Sequence, residues 1–274
     1  MKDVTRVLSF TSGKGGVGKT HTVVNTALAL SKLGRRVLIL DADLGLANVD
    51  IILGLTPKFT LQHVLDGSKH IEEVMLDGPL GISVIPAASG IENICNLGTG
   101  QKMLLLEAIE GISADFDYLL IDTRAGISSD VMYFNAASSE IVVVINAEPT
   151  SLTDAYAVIK VLASNYGQKH FTVLSNDVSG AREGSWAFGQ LQSVVNKFLH
   201  VQLKYIGAIP SDHMVNQAIC QRRGLLEIFP TSGAGLAFAQ LAKTIDECES
   251  PVRAKGGMQF FFRQILEYGV DSLR

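Results

Sequence analysis

Short apolar runs alternate along the chain with longer segments in which apolar residues recur every three or four positions. The runs are residues 4–10, 36–41, 82–86, 118–122, 141–146, 171–176 and 205–210, and several are apolar at consecutive positions. A strand exposed on one face would alternate, whereas a strand covered by helices on both faces need not. Residues 20–33, 100–112, 151–166 and 185–199 carry the helical period. Strand-helix alternation with glycine-rich joints predicts an α/β fold, a doubly wound and mostly parallel sheet with helices on both faces. No linker or repeat interrupts the pattern before Glu249, and Ser250-Pro-Val-Arg-Ala-Lys-Gly-Gly257 then breaks it. The expected division is one domain over residues 1–249 and a C-terminal appendage over 250–274.

That appendage contains a second amphipathic pattern. At 100° per residue, Met258, Phe261, Phe262, Ile265, Leu266 and Tyr268 share one face. Gln259, Arg263, Gln264 and Glu267 occupy the other, with Phe260 out of place among them. Burying each large apolar side chain is worth roughly 1.5–3 kcal/mol. Two covers for this face are open: a lipid surface, slightly aided by Arg253 and Lys255, or a groove of the chain's own domain.

Composition narrows the class. With 47 % hydrophobic and 18 % charged residues, the chain has the balance of a packed domain. A formal net charge of −4, with no run of Lys or Arg beyond two, argues against a broad nucleic-acid face. Cys95, Cys220 and Cys248 are far apart and form no Cys-x-x-Cys, so no disulfide framework, zinc site or iron–sulfur site is expected. The N-terminus lacks signal-peptide features, and no apolar stretch approaches the ~20 residues of a membrane span. A cytoplasmic protein is expected.

Candidate chemistry sits where the strands end. The first run leads into Gly13-Lys14-Gly15-Gly16-Val17-Gly18-Lys19-Thr20, which opens the first predicted helix. Glycines let successive backbone N–H groups converge on phosphate oxygens, and the helix N-terminus adds partial positive charge. Lys19 would reach the β- and γ-phosphates, and the Thr20 hydroxyl would hold Mg²⁺. Gly13, Gly15, Gly16, Val17, Gly18 and His21 complete the expected nucleotide contacts. A second lysine, Lys14, is more than an ordinary phosphate loop needs.

Two further strand ends carry carboxylates. In Val37-Leu-Ile-Leu-Asp41-Ala-Asp43, alternation puts Asp41 and Asp43 on one side, toward the phosphate loop. Asp41 suits the water shell of Mg²⁺. Asp122, in Leu119-Leu-Ile-Asp122-Thr-Arg-Ala-Gly126, is a Walker B-like aspartate, and Gly126 leaves the next segment free to move when the γ-phosphate departs. Run 171–176 ends on Asn176, whose amide can pair donor and acceptor with adenine. Guanine would call for an Asn-Lys-x-Asp signal, and Asn176-Asp-Val-Ser is not one, so ATP is expected over GTP.

Lys14 within this loop resembles the deviant Walker A family, which includes MinD, ParA and the nitrogenase iron protein. The resemblance implies that Lys14 reaches across a dimer interface to the partner's nucleotide, beside charge that develops in phosphoryl transfer. It makes Asp43 the switch I aspartate that positions the attacking water, with Asn48 in the same segment. Lys14, Lys19 and Asp43 are then the catalytic set. It also implies that Pro210 and Asp212 flank the base, with Glu148 a weaker match to a ribose contact.

Longer blocks narrow the resemblance. Asp41-Ala-Asp-Leu-Gly-Leu-Ala-Asn-Val-Asp50, Gly54-Leu-Thr-Pro-Lys58, Ile85-Pro-Ala-Ala-Ser-Gly90, Glu148-Pro-Thr-Ser-Leu-Thr-Asp-Ala-Tyr-Ala157 and Phe260-Phe-Phe are similar to the FlhG (FleN) branch, MinD-like ATPases that limit flagellar number. That branch implies a homodimer on ATP binding and reversible attachment to the inner face of the cytoplasmic membrane through the C-terminal helix. It implies an FlhF-type GTPase and a FleQ-type transcription activator as partners, with no direct nucleic-acid contact. Members that stimulate the GTPase do so through an activating N-terminal helix. Here a strand is expected from about Val4, without such a segment before it. Division-site or plasmid-partition positioning is the alternative with the same chemistry. Arg124 departs from the pattern, because relatives carry a small residue or proline there. It could approach the γ-phosphate, restrict the switch, or be solvated without effect.

Overall fold

The computed structural model describes residues 4–43, 48–86, 97–248 and 257–271. In chain order the elements are β1 (Arg6–Thr11), α1 (Lys19–Lys32), β2 (Val37–Ala42), α2 (Val49–Leu53), α3 (Leu61–Leu65), α4 (Ile71–Val74), β3 (Leu76–Asp77) and β4 (Ser83–Ile85). Then come α5 (Thr99–Ser113), β5 (Tyr118–Thr123), α6 (Ser129–Ala137), β6 (Glu140–Ile145), α7 (Pro149–Tyr166), β7 (His170–Val178) and α8 (Ala181–Phe198). The chain continues through β8 (Gln202–Pro210), α9 (His213–Cys220), α10 (Leu225–Ile228), α11 (Gly233–Glu247) and α12 (Met258–Asp271). The sheet reads β3-β4-β2-β5-β1-β6-β7-β8. Among the described strands, only the β3–β4 pairing is antiparallel. This is the doubly wound α/β architecture that the alternation predicts.

Period-two geometry assigns each strand residue to a layer. Leu8, Phe10, Val37, Ile39, Leu120, Val142 and Val144 pack on one face with α1, α10 and α11. Val7, Leu38, Leu40, Leu119 and Ile121 face the other way, against α3, α5 and α12. Ile141, Val143, Ile145, Phe171 and Val173 extend that second layer under α7 and α8. Every residue of β2 and β5 is buried, which accounts for their unbroken apolar runs.

Several elements escape the sequence pattern for physical reasons. Helices α2, α3, α4 and α10 have four or five residues, too few to show a period. Helix α6 is buried nearly all round and so has no polar stripe. Helix α11 is masked by two glycines near its start. At Gly235 a Cβ would lie 2.7 Å from the carbonyl oxygens of Phe229 and Pro230, so the close turn excludes a side chain.

The amphipathic tail helix, α12, is covered by its own domain. Met258, Phe261, Phe262, Ile265 and Leu266 are buried against α5, α6 and the second core layer. Gln259, Arg263 and Glu267 face outward, as the helical wheel requires, and Phe260 is exposed with them. Lys102 Nζ donates to Leu266 O at 2.6 Å, and Gln259 Nε2 donates to Ser113 Oγ at 3.1 Å. At the entry, a Cβ on Gly257 would lie 2.5 Å from Val4 Cγ1 and 3.3 Å from Thr5 O, so the helix begins close against the start of β1. Residues 249–256, including Arg253 and Lys255, lie outside the described residues, as does the Tyr268 side chain. No helix among the described residues is long and apolar enough to cross a membrane. Phe262→Ala should lower unfolding stability by about 3–5 kcal/mol in a guanidinium titration. A loss below about 1 kcal/mol would mean that the helix does not rest in this groove in solution.

Candidate nucleotide site

β1 lies at the centre of the sheet between β5 and β6, so the connections after β1, β2 and β5 leave from neighbouring strand ends. The register places Phe10 beside Asp122, and Asp122 beside Asp41. Asp41 has the parity of Ile39, and Asp122 that of Leu120, so both carboxylates emerge on the α1 side of the sheet. Such a crevice at the carboxyl ends of parallel strands is where open α/β sheets bind ligands.

The loop 12–19 is held from behind and open in front. A Cβ on Gly13 would lie 2.2 Å from the Asp154 backbone in α7, and one on Gly18 would lie 2.3 Å from Asn176 Nδ2. Gly18 also sits at φ 79°, in left-handed backbone that glycine tolerates. Nothing lies within 4 Å of a Cβ built on Gly15 or Gly16. The first turn of α1 has neither a side-chain cap nor an acidic residue, so its N–H groups are left for an anion.

Lys19 is 8 % exposed and donates to Asp122 Oδ1 at 2.5 Å. The other oxygen, Asp122 Oδ2, is buried with no partner among the described residues. Asp41 Oδ1 accepts from the Asp43 backbone N–H at 3.0 Å, and its Oδ2 accepts from those of Asn48 and Val49 at 3.1 Å. Burial, with Asp122 alongside, pushes the Asp41 carboxyl up to about 7 despite these three donors. An orphaned carboxylate oxygen, two adjacent acids and the half-buried Thr20 make a hard oxygen donor set that fits Mg²⁺ and its waters. Burial likewise holds the His21 imidazole below its ordinary value, against the opposing charge of Asp122.

The other expected residues fall into two groups. Asn176 and Pro210 are brought together, because Asn176 is in register with Ile209 at the end of β8. Here Asn176 Nδ2 donates to Val17 O at 2.8 Å, so the amide supports the phosphate loop. Both Asp212 oxygens accept backbone N–H groups, from Met214 and Ala234 at 2.9 Å, which joins α9 to α11. Asp43 lies at the mouth of the site, 3.5 Å from Arg124 Nε. Asn48 immediately precedes α2 and makes no side-chain cap there, while residues 44–47 and 87–96, Cys95 among them, lie outside the described residues.

Lys14 turns away from its own loop. Its ammonium meets the Glu148 carboxylate and lies 3.2 Å from Thr150 Oγ1 at the start of α7. The hydrogen bond and charge of Lys14 hold the Glu148 carboxyl below its ordinary range. Thr150 was not legible as a site residue, since a hydroxyl in a helix's first turn has many uses. The signal for Glu148 was its place after a strand end, just ahead of Pro149.

Two outcomes follow from this geometry. Gly13→Ala should cost about 1–3 kcal/mol of stability by overpacking and weaken ATP binding at least about tenfold; unchanged binding in a fluorescence titration would count against the close approach to α7. The pKa of Asp41 near 7 exceeds its ordinary 3.8. Its share of metal-free stability is therefore full below about pH 4 and lost as pH rises through about 7. Asp41→Asn should flatten the urea midpoint of the metal-free protein between about pH 5 and about pH 8. A variant profile that tracks the parent would exclude Asp41 as the source.

Comparison with known proteins agrees with this geometry. A family described as an AAA domain matches residues 5–171. The antiactivator FleN of Pseudomonas aeruginosa is 45 % identical over 263 residues, which cover 96 % of this chain and 94 % of FleN. The flagellum site-determining protein YlxH of Helicobacter pylori is 31 % identical over 271 residues, 97 % of this chain and 92 % of YlxH. Among solved structures, the septum site-determining protein MinD complexed with Mg-ADP from Pyrococcus horikoshii superposes with a TM-score of 0.69 at 28 % identity, covering 89 % of this chain and 96 % of that one. With its phosphate loop, second lysine and paired strand-end aspartates, the chain belongs to the MinD/ParA family of P-loop ATPases, on the branch that holds the antiactivator FleN and the flagellum site-determining protein YlxH.

Proposed function

We propose that this protein is an ATP-driven dimerisation switch that restricts the number and placement of flagella. The observation that carries the reading is the position of Lys14. A half-exposed ammonium in the phosphate loop, turned outward to Glu148 and Thr150, contributes nothing to its own loop. It is available to the nucleotide of a second copy, where a cation beside the transferring phosphoryl group would speed hydrolysis.

The other roles follow from the site. Backbone N–H groups of the loop and the α1 N-terminus bind the phosphates, and Lys19 exchanges Asp122 for the β- and γ-phosphates. Asp43 orients the attacking water. Thr20, Asp41 and Asp122 would hold Mg²⁺, which supplies neutralisation of phosphate charge when bound. Asn176, Pro210 and Asp212 border the base.

Membrane attachment through α12 belongs to this reading and requires the helix to leave its groove. The FlhF-type GTPase and FleQ-type activator are the partners proposed, on the strength of the likeness to FleN and YlxH. Analytical sizing should give a dimer with ATP and Mg²⁺ and a monomer with ADP, and Lys14→Ala should lose the ATP dimer or at least about tenfold of the turnover. A monomer in every state would sink the switch. Excess flagella in a deletion strain support the flagellar role, whereas minicells or plasmid loss would move the protein to division or partition.

A further inference from the structure

Arg124 occupies a segment held at one end by strand β1 and at the other by the phosphate loop. Thr123 Oγ1 donates to Phe10 O at 2.8 Å, and Gly126 N donates to Ser12 O at 2.9 Å. Between these anchors the Arg124 side chain, 48 % exposed, extends to Asp43, which is 19 % exposed. The Asp43 backbone N–H is itself held by Asp41 Oδ1 at 3.0 Å. One ion pair thus joins the segment after β5 to the segment after β2, across the mouth of the site.

The pair is built to be exchanged. Its Nε···Oδ1 separation of 3.5 Å is longer than the roughly 2.7–2.9 Å of a charge-assisted hydrogen bond. Half-exposed pairs of this kind contribute little. A guanidinium fork matches phosphate geometry through two parallel hydrogen bonds, and a terminal phosphoryl group carries more charge than one carboxylate.

We propose that Arg124 reads the terminal phosphate. In the structure it is paired with Asp43. With a nucleoside triphosphate bound, its guanidinium transfers to the γ-phosphate and releases Asp43. A diphosphate offers no such group, so the ion pair persists. Asp43 is therefore freed only when there is a phosphoryl group for its water to attack. The inference rests on the ATPase reading of the site and deepens it by naming the residue that distinguishes ATP from ADP.

The test is equilibrium binding, with Mg²⁺, of ADP and of the β,γ-imido analogue of ATP to the full chain and to Arg124→Ala, Arg124→Lys, Asp43→Asn and the double variant Asp43→Asn/Arg124→Ala. Arg124→Ala should weaken the triphosphate analogue about tenfold and leave ADP within about twofold, with Arg124→Lys intermediate because it keeps the charge and loses the fork. Asp43→Asn removes the competitor and should tighten the analogue about threefold, but only while Arg124 is present. Unchanged ADP affinity also reports that each variant is folded. Equal losses for both nucleotides, no loss for either, or an Asp43→Asn effect independent of Arg124 would overturn the proposal. If the parent chain binds neither nucleotide, the ATPase reading fails first and takes this inference with it.

Discussion

The site depends on one buried ion pair. Lys19 and Asp122 meet at the ends of α1 and β5 with almost no solvent, each the counter-charge of the other. A second carboxylate, Asp41, stands beside Asp122 in register, so the crevice holds more negative than positive charge before any ligand arrives. Burial first, and Asp122 second, raise the Asp41 carboxyl, while Asp122 Oδ2 has no partner among the described residues. On the proposed reading, Lys19 would pass to the phosphates, and Asp41 and Asp122 would hold the metal.

Much of this was legible in the sequence, because the chemistry sits where periodic patterns end. The layer of Asp41 and Asp122 follows from counting by twos along β2 and β5. The position of the loop follows from a glycine-rich stretch between a strand and a helix. The burial of Met258, Phe261, Phe262, Ile265 and Leu266 in α12 was readable, as was the exposed Phe260. The cover over that face was not readable, since lipid and protein groove select the same stripe of side chains. Nor was the present engagement of Asn176 and Asp212: an amide or carboxylate at a strand end can serve a ligand or a neighbouring backbone equally well, and here it serves Val17, Met214 and Ala234. Arg124 lay open among three roles until its distance to Asp43 was available.

Several contacts tie nucleotide-facing segments to parts of the fold remote from the phosphates. Asp41 gathers the N–H groups that start α2, and at the far end of α2 a Cβ on Gly54 would lie 3.2 Å from Arg222 O, just after α9. Asp212 begins α9 and is bonded to α11. The phosphate-side and base-side elements are therefore linked by a series of short connections through α2, α9 and α11.

The docked tail helix sets a condition on any release. Leaving the groove uncovers two surfaces: the apolar stripe of α12, and the wall of Leu105, Ile109, Phe134 and neighbouring side chains that it had shielded. Lipid can absorb the stripe, but the wall stays with the globular domain and faces water. Five buried side chains at roughly 1.5–3 kcal/mol each measure the helix half alone, and the wall adds a comparable debt. A bilayer by itself therefore meets only half of the demand, and the vacated wall sets a separate cost on release.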